Sequence, residues 1–172
     1  EYVAGMEHNH SHDDGEIHGG DHSGEDEHIW LSVRNAAVIT KKLCDAVCEI
    51  DSANAEIYKS NAQAYISELN GLDNQYQSVI GSSSRKVLLF ADRFPFRYLI
   101  EDYNLTYHAA FAGCSSESEA SFETMAYLID KTKELSLPAI LIIDNSDGSL
   151  AETVSQESGA KILSLDSCQS VS

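Results

Sequence analysis

The sequence predicts an α/β fold built on a parallel sheet, and three observations predict it. From residue 82 onward, short apolar runs alternate with amphipathic stretches, the pattern of strands joined by crossover helices. Before that, one apolar stripe persists at helical spacing from Tyr58 to Val79. The first 28 residues, rich in His, Asp, Glu and Gly, hold almost nothing that could be buried and read as a flexible loop.

The elements follow in order. Ser32 is a suitable N-cap for a helix with Ile39, Leu43, Val47 and Ile50 on one face. Asp51 and Ser52 then look like a new cap. Beyond them Tyr58, Ala62, Tyr65, Leu69, Leu72, Tyr76 and Val79 alternate spacings of 4 and 3, which keeps one stripe on a single helix. A helix over residues 52–80 is on the order of 40 Å long, locally weakened at Gly71. Periodicity alone leaves open whether it packs on a core or acts as a rigid spacer. Val87–Phe90, Leu105–Ala110, Ala139–Ile143 and Lys161–Leu165 read as buried strands, with helices over Phe96–Tyr103, Ser118–Leu135 and Ser149–Ser158. Ligands of such sheets bind beyond the carboxyl ends of the strands. That rule selects Asp92, Gly113–Cys114, Asp144 and Asp166, each of which could equally be a turn or cap residue.

Composition narrows the function. The chain has 172 residues, of which 42% are apolar, enough for one packed domain or one domain with part of another. Lys plus Arg total 11 against 28 acids, a net charge of −17, which repels phosphate backbones and disfavours nucleic acid. No run approaches the roughly 20 apolar residues of a bilayer-spanning helix. The chain opens without Met inside a polar stretch, so it reads as a fragment, with any signal peptide or lipid-attachment Cys expected upstream of Glu1.

His8, His10, His12, His18, His22 and His28 share the opening segment with nine carboxylates and no Lys or Arg. Imidazole and carboxylate without competing cations suit a borderline divalent metal, and a flexible loop can offer them in interchangeable sets. An acidic solubilising linker or a tag remnant would explain the same composition, although a tag is usually an uninterrupted His run.

Enzyme motifs are missing. No Gly-x-Ser-x-Gly, Gly-x-Gly-x-x-Gly or phosphate loop occurs. Asp92 could suggest an aspartyl-phosphate nucleophile, but the second Asp is replaced by Phe94. Asp144-Asn145-Ser146-Asp147-Gly148 fails as a calcium loop, because its first and last ligand positions fall on Ile143 and Val154. Cys44 and Cys48, four apart on one helix, are awkward for a disulfide and read as two buried thiols.

Four segments together resemble a known family. Asp26-Glu27-His28-Ile29-Trp30-Leu31-Ser32, following a His-rich loop, resembles the Asp-Pro-His-x-Trp-Leu segment of zinc- and manganese-binding solute receptors of ABC importers. Phe90-Ala91-Asp92-Arg93-Phe94-Pro95-Phe96-Arg97-Tyr98 is similar to the segment after the first strand of that family's C-terminal lobe. Ala112-Gly113-Cys114-Ser115-Ser116-Glu117-Ser118-Glu119-Ala120-Ser121 is similar to its Gly-x-Ser-x-Glu-x-Glu-Pro-Ser loop, with Ala120 where Pro is usual. Ser158-Gly159-Ala160-Lys161 and Leu165-Asp166-Ser167 resemble its final strand and metal-bearing turn.

The resemblance implies the C-terminal parallel-sheet lobe of a two-lobed metal receptor, with a long connecting helix and a disordered His/Asp-rich loop. Residues 1–28 would be the loop, 29–51 the last helix of a mostly absent N-terminal lobe, 52–81 the connector and 82–172 the C-terminal lobe. His28 matches a ligating His and Asp166 a ligating carboxylate. The third ligand falls at Ala91, which coordinates nothing, so adjacent Asp92 is the substitute. The cargo would be Zn²⁺ or, alternatively, Mn²⁺, with further ligands from the missing lobe. The partner would be an ABC permease. The chain would be a monomer outside the cytoplasm, held to the membrane through an N-terminal anchor it does not itself contain. His28 could instead cap the following helix, Asp92 could pair with Arg93 or Arg97, and His108 reads as a packed or lobe-surface residue. Cys114 and Cys168 both follow strand ends and, in an oxidising compartment, could form a disulfide; the rival reading makes them soft metal ligands. The competing functions are a stand-alone extracellular metal buffer using the loop, and a metal-assisted hydrolase.

Overall fold

The computed structural model describes residues 26–112 and 120–169. A 3₁₀ turn at Ile29–Leu31 leads into α1, Val33–Ile50. Ser32 caps it as expected: its Oγ accepts the Asn35 amide at 2.9 Å and donates to Asp102 at 2.6 Å. The chain turns through a second 3₁₀ segment, Ser52–Asn54, into α2, Ala55–Ser82. The Asp51 carboxylate pins this corner by accepting from Asn54 at 2.9 Å and Tyr58 at 2.8 Å. Twenty-eight residues make α2 about 42 Å long, and it continues through Gly71. No helix among the described residues is long and apolar enough to cross a membrane.

Among the described residues four parallel strands follow: β1 Val87–Phe94, β2 Thr106–Ala112, β3 Ala139–Ile143 and β4 Lys161–Leu165, in the spatial order β2-β1-β3-β4. They alternate with α3 Arg97–Asp102, α4 Phe122–Glu134 and α5 Ser149–Ser158. Gly159 ends α5 at φ 78°, a left-handed conformation that side chains disfavour, and sends its amide back to Ser155 at 2.8 Å.

Side chains alternate across the sheet and bury both faces at its centre, while β4, expected to be buried, is an edge strand with Leu163 53% exposed. On one face Leu89 and Ala91 pack with Ala110, Leu128, Ile140 and Val154 beneath α4 and α5. On the other, Phe90 and Phe94 pack with Phe96, Leu99, Ile100 and Leu31, flanked by Tyr76 and Ile80 from the end of α2. The last turns of α2 therefore lie against this lobe. An Asp73 carboxylate fastens them: it accepts from Arg34 at 3.1 Å, Tyr103 at 2.9 Å and Gln77 at 2.7 Å.

Two expectations need correction. The stripe Ile39, Leu43, Val47 and Ile50 is not the packed face of α1: Leu43 is 61% and Ile50 86% exposed. Ile39 is half-buried, but beyond it the less exposed positions are Thr40, Cys44 and Cys48, which continue the line of Val33 and Ala36 on the helix, and Cys48 reaches the start of α2 at Ala55. Small residues let the two helices approach closely. Along α2, Tyr58, Ala62, Leu69 and Tyr76 turn inward, while Tyr65, Leu72 and Val79 lie on the outer edge of the stripe. Second, β1 does not stop at Phe90. It continues to Phe94 across a bulge between Phe90 and Arg93, pairing Arg93 with Phe111 and Phe94 with Ala112. Asp92 therefore lies inside the strand, not after it.

Candidate metal site

Strand order places the site. From β1 the chain crosses by α3 to β2 on one side, then by α4 to β3 on the other. The two helices lie on opposite faces, so the carboxyl ends of β1 and β3 diverge there, the place where open α/β sheets leave a crevice. A cleft of about 600 Å³ opens at that point, lined by Asp92, Arg93, Phe111, Met125, Asp147 and Ser149 among others, whereas His28 and Asp166 do not line it.

Asp92 is 8% exposed, and its carboxylate stands in for missing ladder contacts. β1 pairs with β3 only at Phe90 and Leu141, and past that bridge Asp92 Oδ2 accepts the Ile143 amide at 3.1 Å. Oδ1 accepts the Arg93 amide at 2.7 Å within the bulge. The same device recurs one strand over, where Asp144 Oδ1 accepts the Ser167 amide at 2.7 Å beyond the end of the β3–β4 ladder. Two carboxylates thus stitch the rim of β1, β3 and β4. Asp166 is exposed, and its Oδ1 accepts the Cys168 amide at 2.7 Å, closing a turn in which Cys168 adopts φ 53°.

His28 is the most built residue of the region. It is 2% exposed and packs its ring against Trp30 with centroids 5.4 Å apart. Asp26 Oδ1 accepts both the His28 backbone amide at 2.8 Å and ring Nδ1 at 2.9 Å. A carboxylate only accepts, so Nδ1 carries a proton, and the pairing is that of an imidazole oriented by a carboxylate, as metal-ligating histidines are. Tyr98 of α3 donates to the Asp26 carbonyl at 2.8 Å, and Trp30 Nε1 donates to the Ser167 carbonyl at 3.3 Å. The segment carrying His28 is therefore tied to the turn that carries Asp166.

These ties bring the segments of His28 and Asp166 together, but they do not assemble a finished ligand set. Among the described residues, no three His, Cys, Asp or Glu side chains lie close enough to hold a metal ion, so His28, Asp92 and Asp166 do not form one. His108 is packed rather than ligating: Nδ1 lies 2.6 Å from the Tyr127 hydroxyl, and burial pushes its pKa below the usual histidine value. His8, His10, His12, His18, His22 and Cys114 fall outside the described residues, so the loop capture site and the Cys114–Cys168 pairing do too. Sequence reasoning missed Asp26 as the partner that orients His28. Its only signal was its position two residues upstream, where one carboxylate can reach both the backbone and the ring.

With this geometry in view, the comparisons with known proteins point one way. The chain is 31% identical over 157 residues to the zinc-binding lipoprotein AdcA of Streptococcus pneumoniae, covering 91% of this chain and 30% of that protein. It is 28% identical over 141 residues to the iron ABC transporter substrate-binding lipoprotein MtsA of Streptococcus pyogenes, covering 81% of this chain and 45% of that one. Its fold matches the crystal structure of a Zn(II)-bound AdcAII mutant variant of Streptococcus pneumoniae with TM-score 0.71 at 26% identity, covering 85% of this chain and 52% of that chain. The chain thus spans 30–52% of the length of these relatives. A model of the family described as zinc-uptake complex component A, periplasmic, matches residues 2–172, and the chain belongs to that ZnuA family.

Proposed function

We propose that this chain is the C-terminal part of an extracytoplasmic receptor that captures Zn²⁺, or alternatively Mn²⁺, between two lobes and delivers it to the membrane permease of an ABC importer. The observation that carries this reading is the buried His28 whose ring Nδ1 is held by the Asp26 carboxylate at 2.9 Å, the carboxylate–imidazole pairing that orients metal-ligating histidines. Residues 29–51 belong to the end of an N-terminal lobe, 52–81 to the connector and 82–172 to the C-terminal lobe. The Zn-bound structural relative and the zinc-binding AdcA relative support zinc as cargo; the MtsA relative, named for iron, keeps the choice of metal a matter for measurement.

His28 supplies the first nitrogen ligand, and Asp166 closes on the ion by movement of an exposed turn. Asp92 contributes through a lone pair that its two amide contacts leave over. The remaining ligands come from outside the described residues, as an open two-lobed receptor requires. The protein works as a single chain without catalysing a reaction, attached to the outer membrane face by a lipid as its lipoprotein relatives are. The His-rich loop raises local metal concentration.

Calorimetry on the full-length receptor tests this. His28→Ala and Asp166→Ala should each weaken the tight zinc site, and deletion of residues 7–22 should remove only weak equivalents. Unchanged stoichiometry and affinity in both point variants would overturn the proposal. Loss of tight binding on loop deletion alone would favour a metal buffer instead.

A further inference from the structure

Far from the sheet rim, α1 and α2 enclose a second group of metal-ligating atoms. Cys44 and Cys48 stand one turn apart on the side of α1 that meets α2, with their sulfurs 4.0 Å apart. Both are partly exposed, and Cys48 Sγ lies 3.6 Å from the Ala55 carbonyl at the start of α2.

Oxidation is not what this geometry favours. Residues four apart on a helix hold their Cβ atoms about 5–6 Å apart, whereas a disulfide needs about 3.5–4.5 Å, so the pair stays a dithiol unless the helix deforms. One ion fits better. At a metal–sulfur distance of about 2.3 Å, sulfurs 4.0 Å apart subtend an angle of about 120°. Zinc would want four protein donors in a closed site, and no third His, Cys, Asp or Glu converges here among the described residues. Thiolates select a soft ion such as Cu(I), which accepts fewer donors than zinc, and an angle of about 120° leaves one position for a small third donor such as solvent.

We propose that Cys44 and Cys48 form a dithiolate site for a thiophilic monovalent ion of the cuprous class, separate from the zinc site. Binding exchanges two thiol protons for one Cu⁺: both protons leave to solvent, two S–Cu bonds form, and no oxidant or reductant is consumed. Burial raises the pKa of the Cys48 thiol, an effect opposed by the nearby Lys59 ammonium, and the ion replaces the proton that burial retains. Binding also removes the proton that the Cys48 thiol donates to the Ala55 carbonyl at 3.6 Å, so it loosens this contact between α1 and the first residue of α2.

The test uses the whole chain, reduced and anaerobic, with Cys114→Ser and Cys168→Ser so that other thiols do not compete. Cu(I) is titrated against a chromogenic Cu(I) chelator. One tight equivalent per chain is expected. Cys44→Ser or Cys48→Ser should each weaken it by roughly 100-fold or more, beyond the 10–100-fold typical of losing an orienting partner. A tenfold excess of Zn²⁺ should leave it in place, and helical circular dichroism reports that each variant folds. Cu(I) uptake that survives both substitutions, or that requires Cys114 and Cys168, overturns the proposal; so does displacement by equimolar zinc. Deleting residues 7–22 should leave the tight equivalent intact. None of these outcomes depends on the receptor reading of His28.

Discussion

Replacing Asp26 with Ala isolates the part of the site that is fully visible. One oxygen of Asp26 receives the His28 backbone amide at 2.8 Å and its ring Nδ1 at 2.9 Å. Without it, the ring can carry its proton on either nitrogen and rotates more freely, so part of the time Nε2 presents a proton rather than a lone pair. Loss of such an orienting carboxylate typically costs 10–100-fold in metal affinity, which is about 1.4–2.7 kcal/mol. Asp26→Asn keeps an amide oxygen that can still accept from Nδ1, so its loss should stay below about tenfold. Zinc competition against a chelator measures the affinity in full-length receptor. Trp30, the only Trp and in ring contact with His28, gives a second readout through its fluorescence. A melting curve separates orientation from local unfolding. The reasoning is refuted if Asp26→Ala binds zinc with parental affinity while His28→Ala does not.

Other consequences concern stability. Leu128 is fully buried beneath the sheet, so Leu128→Ala should cost about 2–5 kcal/mol in urea unfolding; a loss under about 1 kcal/mol would mean that face of the core is not closed. Ser32→Ala removes both an N-cap and the donor to Asp102, and should cost at least the upper half of the usual 0.5–2 kcal/mol for a cap, read from the urea midpoint. Burial alone would raise the Asp73 carboxyl, but hydrogen bonds from Tyr103, Gln77 and Arg34 hold it below the ordinary carboxylate range. Its contribution is therefore complete above the unfolded value of about 3.9 and disappears as pH falls through the lower folded value. Urea midpoints measured down to about pH 2.5 should fall on the acid side, and Asp73→Asn should flatten part of that fall.

Local signals in this chain were legible where they were self-contained. Strands β3 and β4 and helix α5 fall where their apolar runs and turn residues place them, and Ser32 caps α1 by the bond its position implied. Burial of both sheet faces followed from the continuous apolar run of β1 but not from that of β4, an edge strand whose Leu163 is 53% exposed. What stayed hidden needed a partner element to reveal it. Ala91-Asp92-Arg93 looks like the end of a strand because polar residues seldom continue one; here a bulge and a carboxylate replacing ladder contacts carry β1 on to Phe94. Periodicity identified an apolar stripe on α1, but α2 packs against the smaller residues beside it, and no single-helix pattern encodes that choice. His28 was singled out as a candidate ligand by its motif. Its orientation was not legible, because Asp26 was one carboxylate among many in an acidic stretch.

The most direct measurement is a zinc-edge anomalous difference map from crystals of the full-length receptor grown with one equivalent of Zn²⁺. The account predicts the strongest peak about 2.0–2.1 Å from His28 Nε2, with the Asp166 turn drawn to the ion and Asp26 still on Nδ1. A strongest peak elsewhere, with His28 Nε2 bonded to protein alone, would contradict it.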